Sequence, residues 1–237
     1  LTLFSTVESL GTLSNGNGTV TYDGADDQDI VEDDYYNLTA GGGGTKRLGG
    51  AVTVANDFTI DAGVTVDMNE NTLGVTGATD IDGTLDVAGS ALALNGASDI
   101  DGTITISTGT VDADGSFDAT GGNITFTGAG ELQVAGEVES LGTLSDDFGT
   151  VTYDGATDRN IFTTDYNNLT ASGDAIKTLV GDVTVNGALT IDDVTTIAMD
   201  ANNLTVAGDT DINGTVTIST ATLDADGTFD ATSGNVT

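Results

Sequence analysis

Short segments of the form apolar-x-apolar-x-Gly return along this chain at a nearly fixed step. They read VTYDG from Val20, LGVTG from Leu73, LALNG from Leu92, VDADG from Val111, LQVAG from Leu132, VTYDG from Val151, VTVNG from Val183, LTVAG from Leu204 and LDADG from Leu223. VTVAN from Val52 ends in Asn, and LTLFS from Leu1 is a degenerate first member. Successive steps are 19, 32, 21, 19, 19, 21, 19, 32, 21 and 19 residues. So short a recurrence holds one small unit that must stack on its neighbours to bury a face. A β-propeller blade, the obvious competitor, needs roughly 40 residues and four strands.

Each unit carries three short alternating segments. From Val52 they are Val52/Val54, Phe58/Ile60 and Val64/Val66; from Val111 they are Val111/Ala113, Phe117/Ala119 and Ile124/Phe126. Alternation sends one set of side chains inward and the other outward. Three such strands with Gly, Asn or Asp corners make one coil of a β-solenoid, an all-β fold. Eleven coils at about 4.8 Å each give a rod roughly 50 Å long. The inward residues are expected to form columns, such as Val52, Leu73, Leu92, Val111, Leu132 and Val151. The glycine at the fifth position is expected to supply a left-handed corner. The chain has no Pro, which suits strands that are nearly all interior to a ladder.

A longer period overlies the short one. ESLGTLS at Glu8 and Glu139, TVTYDG at Thr19 and Thr150, and NLTA at Asn37 and Asn168 are each offset by 131 residues. After Gly214 the offset falls to 112, so one 19-residue unit is absent from the second copy. The chain thus reads as one continuous solenoid over 1–237, in superrepeat copies 1–131 and 132–237. The 237 residues fit within a 243-residue superrepeat, with no polar capping coil at either end. We expect an array that continues, or copies that stack end to end.

Composition narrows the function. There is no Cys and no His, which excludes disulfides, thiolate metal sites and Ser–His or Cys–His nucleophile systems. Acidic residues number 38 against four basic ones, a net charge of -34, which repels nucleic acid. No apolar run is long enough to span a membrane. Pectin-degrading solenoids use clustered Asp in a groove, but these acids recur with the fold repeat, whereas a catalytic site is a single irregularity. We expect no enzyme and no required cofactor.

Three features stand out as candidate sites. The first is the aspartates. Asp112 and Asp114 point outward beside Ala93/Asn95 and Gln133/Ala135, so acid is not stacked on acid along that ladder. They and their counterparts Asp224 and Asp226 read as a solvated face, or as oxygen ligands for calcium. DTDING at Asp209, with Asp211 and Asn213, resembles half of an EF-hand loop, but Thr220 stands where a bidentate Glu is needed. The second feature is the pair of 32-residue steps, where either a dozen residues protrude or two short coils replace one. They hold all four basic residues, Lys46, Arg47, Arg159 and Lys177, together with Tyr35, Tyr36 and Tyr166. These seven either grip a neighbouring molecule or pin the segment to the rod. The third is a Thr-rich outer face, including Thr65, Thr103, Thr105 and Thr125, interrupted by Asp67 and Asp86. Ice binding is its weaker alternative.

The words VTYDGA, YYNLTA and GTKRLGGAVTVANDFTI resemble the β-strand-repeat regions of very large secreted bacterial surface proteins, adhesin-like chains of filamentous-haemagglutinin or autotransporter-passenger character. The resemblance implies a right-handed parallel β-helix on the cell surface, serving adhesion, matrix or filament formation. It brings no catalytic residues. The expected function is a structural segment of an extracellular filament or long surface fibre whose partner is itself. The alternative is an adhesin stalk or binding module for surface glycans, with calcium.

Overall fold

The computed structural model describes residues 1–13, 16–145 and 147–237. It is all-β, with 35 short strands and no helix among these residues. Taken in chain order the strands fall three to a turn, in about 12 turns, and each pairs in parallel with its counterparts one turn away. The chain is a β-solenoid with three faces. The first face holds Thr19–Tyr22, the second Gln28–Ile30 and the third Asp34–Tyr35; the next turn follows with Asn37–Ala40, Thr45–Leu48 and Val52–Val54.

Short Thr- and Val-rich strands are marginal alone, and each becomes stable by pairing on both edges while its inward side chains meet those of the other faces. The expected column forms in register on the third face: Val52 pairs with Leu73, then Leu92, Val111, Leu132 and Val151. All six are buried.

The 32-residue steps are neither protrusions nor pairs of whole coils. The stretch from Val20 to Val52 contains five ordinary strands, which is one turn and two-thirds. Val20 pairs with Leu38, and Leu38 with Phe58, steps of 18 and 20 residues. Val20 and Val52 therefore share a motif but lie on different faces. The motif marks an inward-facing strand with a tight corner, and any face can supply one.

The same counting governs the long period. The 131-residue offset carries Thr19–Tyr22 onto Thr150–Tyr153, twenty strands later, so each copy begins one face round from the last. Thr19–Tyr22 lies on the first face and Thr150–Tyr153 on the third. The third face runs unbroken from Asp34–Tyr35 to Phe229–Asp230 in 11 strands. The other two break between copies. Their ladders end at Val138–Ser140 and Thr143–Leu144 and resume at Arg159–Ile161 and Asp165–Tyr166.

The recurring corner glycine serves a purpose other than the expected one. Gly77, Gly96, Gly115 and Gly136 lie outside the left-handed region, which other glycines occupy, such as Gly63 at φ 81°. Their lack of a Cβ matters instead. A Cβ on Gly96 would stand 2.1 Å from the carbonyl oxygen of Gly77, on Gly115 1.9 Å from that of Gly96, and on Gly136 1.8 Å from that of Gly115. Successive coils touch backbone to backbone at this corner, and only glycine fits.

Candidate functional site

Tyr35 and Tyr166, two of the seven residues considered for contact with a neighbour, are buried, as are Lys46 and Lys177. Burial removes them from any such contact; they pin the coils together instead. Tyr22 and Tyr35 point inward from two faces of one turn, with hydroxyls 3.0 Å apart. The Val31 amide donates to Tyr22 Oη at 3.0 Å, and Tyr35 Oη donates to the Val31 carbonyl at 2.6 Å. Tyr35 spends its proton on that carbonyl, so Tyr22 is the donor between the rings. Tyr153, Tyr166 and Phe162 repeat the arrangement at 3.0, 3.0 and 2.6 Å. Burial raises the pKa of all four phenols, that of Tyr153 to about 12.

Lys46 lies at an inward position of Thr45–Leu48. Its ammonium donates to the carbonyls of Gly24 at 2.7 Å, Gly43 at 2.7 Å and Asp26 at 3.1 Å. The corners GADD and GGGG, which have almost no apolar side chains to pack, are tied together by this one charge. Lys177 donates likewise to the Gly155 carbonyl. Burial pulls both ammonium groups below the ordinary lysine pKa; Asp27, Asp23 and Asp26 pull that of Lys46 back.

The remaining three reach the surface in part. Arg47 is exposed and its Nε donates to Asp67 at 3.0 Å. Arg159 is half-buried at the break between copies, where its Nε donates to the Ala135 carbonyl at 3.2 Å. Gln28, its counterpart in the first copy, makes the equivalent crossing to the carbonyls of Ser5 at 2.8 Å and Leu3 at 3.3 Å. Tyr36 is half-buried beside Leu1 and Leu13.

The outward faces carry the charge. On the first face one column reads Thr2, Thr21, Thr39, Thr59 and then Asp80, Asp99, Asp118, all in register. Acid therefore stacks on acid here, at about 4.8 Å. Burial, and then Asp82, Asp99, Asp101 and Asp61, raise the pKa of Asp80; burial, Asp101, Asp118 and Asp82 do the same to Asp99. The second copy repeats the column on the third face as Thr152, Thr170, Thr190, Asp211 and Asp230. On the second face Thr45, Thr65, Thr84 and Thr103 form a threonine column, while Asp67 and Asp86 lead into Thr105 and Thr125 in the column beside it.

The seven residues considered for calcium are not gathered into one chelating group. Asp112 stands between Ala93 and Gln133, as the spacing predicted, and Asp224 beside Thr205. Asp114 and Asp226 are exposed at corners. Asp209 accepts from the Thr228 amide at 3.0 Å, Asp211 pairs with Asp230, and Asn213 is half-buried one residue before Gly214. Among the described residues no three acidic side chains converge to hold one metal ion.

Compared with known proteins, the chain matches no family model, no curated protein and no solved structure. No helix in the described residues is long and apolar enough to cross a membrane.

Proposed function

We propose that this chain is a structural segment of an extracellular filament or long cell-surface fibre, a stiff rod with no catalytic role. One observation carries the reading. The chain's least repetitive side chains point inward and occur twice, the buried tyrosines with the same hydrogen bonds and the buried lysines with the same donation to a corner glycine carbonyl. A receptor or substrate site would turn such groups outward and use them once. What faces outward is a repetitive surface of Thr and Asp, at a net charge of -34 that favours solubility and a saline setting. Cations act on this surface mainly by screening. The secreted location rests on this charge and on the resemblance of the repeat words to bacterial surface proteins.

Electron microscopy of the purified protein, with and without a calcium chelator, tests the reading. Regular coil-width filaments or rigid rods that survive chelation support it. Filaments that dissolve on chelation turn the acidic columns into binding sites. Globular or collapsed particles overturn it, and glycan-dependent capture of short rods would favour the adhesin stalk.

A further inference from the structure

We propose that Asn95 is a site of self-modification. Its side-chain amide is lost by attack of the Gly96 backbone nitrogen, and the corner there ages into a mixture of aspartate and isoaspartate. The proposal stands apart from the fibre reading and concerns the lifetime of the fold itself.

The chemistry needs only the chain and water. The Gly96 nitrogen bonds to Asn95 Cγ, the side-chain nitrogen leaves as ammonia, and a succinimide ring remains. Water then opens the ring at either of its carbonyls. Opening at Cγ breaks the new bond and gives aspartate. Opening at the main-chain carbonyl breaks the original peptide bond and gives isoaspartate, in which the chain runs through Cγ. Nothing is oxidised or reduced. A following glycine favours the attack, because it has no Cβ to crowd the nitrogen and its backbone turns freely.

Four Asn–Gly pairs lie among the described residues, at Asn17, Asn95, Asn186 and Asn213. The letters make them equal, and the hydrogen bonds separate them. The Gly18 amide donates to the Gly16 carbonyl at 2.8 Å, that of Gly187 to the Asn167 carbonyl at 2.7 Å and that of Gly214 to the Ile191 carbonyl at 3.1 Å. A nitrogen held in such a bond must leave it before it can lose its proton and attack. Among the described residues the Gly96 amide donates to no acceptor.

The other reactant is equally free. Asn95 is exposed, and its side chain makes no hydrogen bond among the described residues. Its Cγ can turn toward the Gly96 nitrogen, water can enter and ammonia can leave. Asn213 is half-buried, so it is held back on both counts.

The position makes the products disruptive. Leu94 pairs with Val75 and with Ala113, so Asn95, one residue on, lies between Thr76 and Asp114. On its other side Asp114 meets Ala135, one residue beyond the pair of Ala113 with Val134. Aspartate at position 95 therefore gives Asp114 its first acid neighbour in that column, and like charges directly opposite repel. Isoaspartate adds a backbone atom just before Gly96. There the coils already touch, since a Cβ on Gly96 would stand 2.1 Å from the Gly77 carbonyl oxygen. The added length has no room at the contact, so the ladder opens from this corner.

Peptide mapping by mass spectrometry tests the proposal. The folded protein is held in warm, mildly alkaline buffer beside a sample in denaturant, and chymotryptic peptides carrying each Asn–Gly pair are followed for conversion of amide to acid. In denaturant all the pairs should convert at similar rates. In the folded protein Asn95 is expected to convert about 5- to 10-fold faster than Asn186 or Asn213, the factor by which one ordinary hydrogen bond holds an amide back. Equal rates at the three folded sites overturn the proposal. So does an Asn95 that stays intact while the denatured chain converts. The thermal midpoint gives a second reading. It should fall as the native chain ages and hold steady in Asn95→Gln treated alike. Equal falls in the two would overturn this corner as the place where ageing acts.

Discussion

Gly63 and Val194 stand at the same place in the two copies, and both hold a left-handed backbone, at φ 81° and 63°. For glycine this costs nothing sterically; for a β-branched residue it is strained by about 1 kcal/mol or more. Val194 is 71 % exposed, so no burial offsets the strain. Val194→Gly is expected to raise the denaturation midpoint, with a gain of about 1 kcal/mol in unfolding free energy. Gly63→Val should lose a similar amount. An unchanged midpoint in both would show that the corner relaxes freely.

The stacked corner glycines make a sharper demand. Gly115→Ala sets a methyl 1.9 Å from the Gly96 carbonyl oxygen, which neither backbone can avoid without opening the ladder. A loss of about 2 to 3 kcal/mol is expected. Gly74, which has open space where a Cβ would stand, is the control. Gly74→Ala should be neutral or stabilising by about 0.5 kcal/mol, because glycine within a strand is unfavourable. Equal effects at the two sites would refute backbone contact as the reason for the column.

Lys46→Met keeps most of the side-chain volume and removes the donor. The carbonyls of Gly24, Asp26 and Gly43 lose a shared partner in a buried corner. We expect a loss of about 3 kcal/mol in chemical denaturation, with protease sensitivity appearing first between residues 24 and 44. A fully stable Met variant would mean that water replaces the ammonium there.

The acidic columns give a pH dependence of definite sign. Asp80, Asp99 and Asp112 have pKa values raised by burial first and by neighbouring acids second, and burial raises that of Asp154 against a backbone hydrogen bond that lowers it. Above those values the fold holds ionised carboxylates it resists. As pH falls through them towards the unfolded value near 4, the folded state binds protons first and gains stability. Asp230, whose pKa is lowered by its hydrogen bonds from Thr232, works oppositely, but its contribution is lost only below the ordinary carboxylate range. The thermal midpoint should therefore rise between pH 7 and about pH 4.5. Salt at neutral pH should give part of the same rise and shrink the pH effect. A midpoint that falls steadily from neutrality would refute strain in the columns. At the alkaline end the four buried phenols hold folded pKa values above the unfolded 10. Their contribution is complete below pH 10 and is lost as pH rises through the folded values, so tyrosinate absorbance should appear together with unfolding.

Much of this was legible in the letters. Alternation and the short step gave the three-strand coil, and the column through Val52, Leu73 and Leu92 follows from lining up the glycines. The faces were not legible, because VTYDG and VTVAN look equivalent and only ladder pairing separates them. Of the two roles open to Lys46, pinning had a signal in the letters: in TKRL, an inward Leu48 obliges Lys46 to be inward too. The Asp80–Asp99–Asp118 column was hidden for the same reason as the faces. Asp80 and Asp99 do open a shared word, DIDGT, at the 19-residue step, but Asp118 follows Phe in a different word, so the column as a whole is not marked.

The one-face advance between copies has an electrostatic side. The acids Asp80, Asp99 and Asp118 look out from one face, and Asp211 and Asp230 of the next copy from another. Along the described chain the acidic stripe therefore does not run straight: it leaves one face and is taken up on another, so a probe moving down either face meets charge over only part of its length.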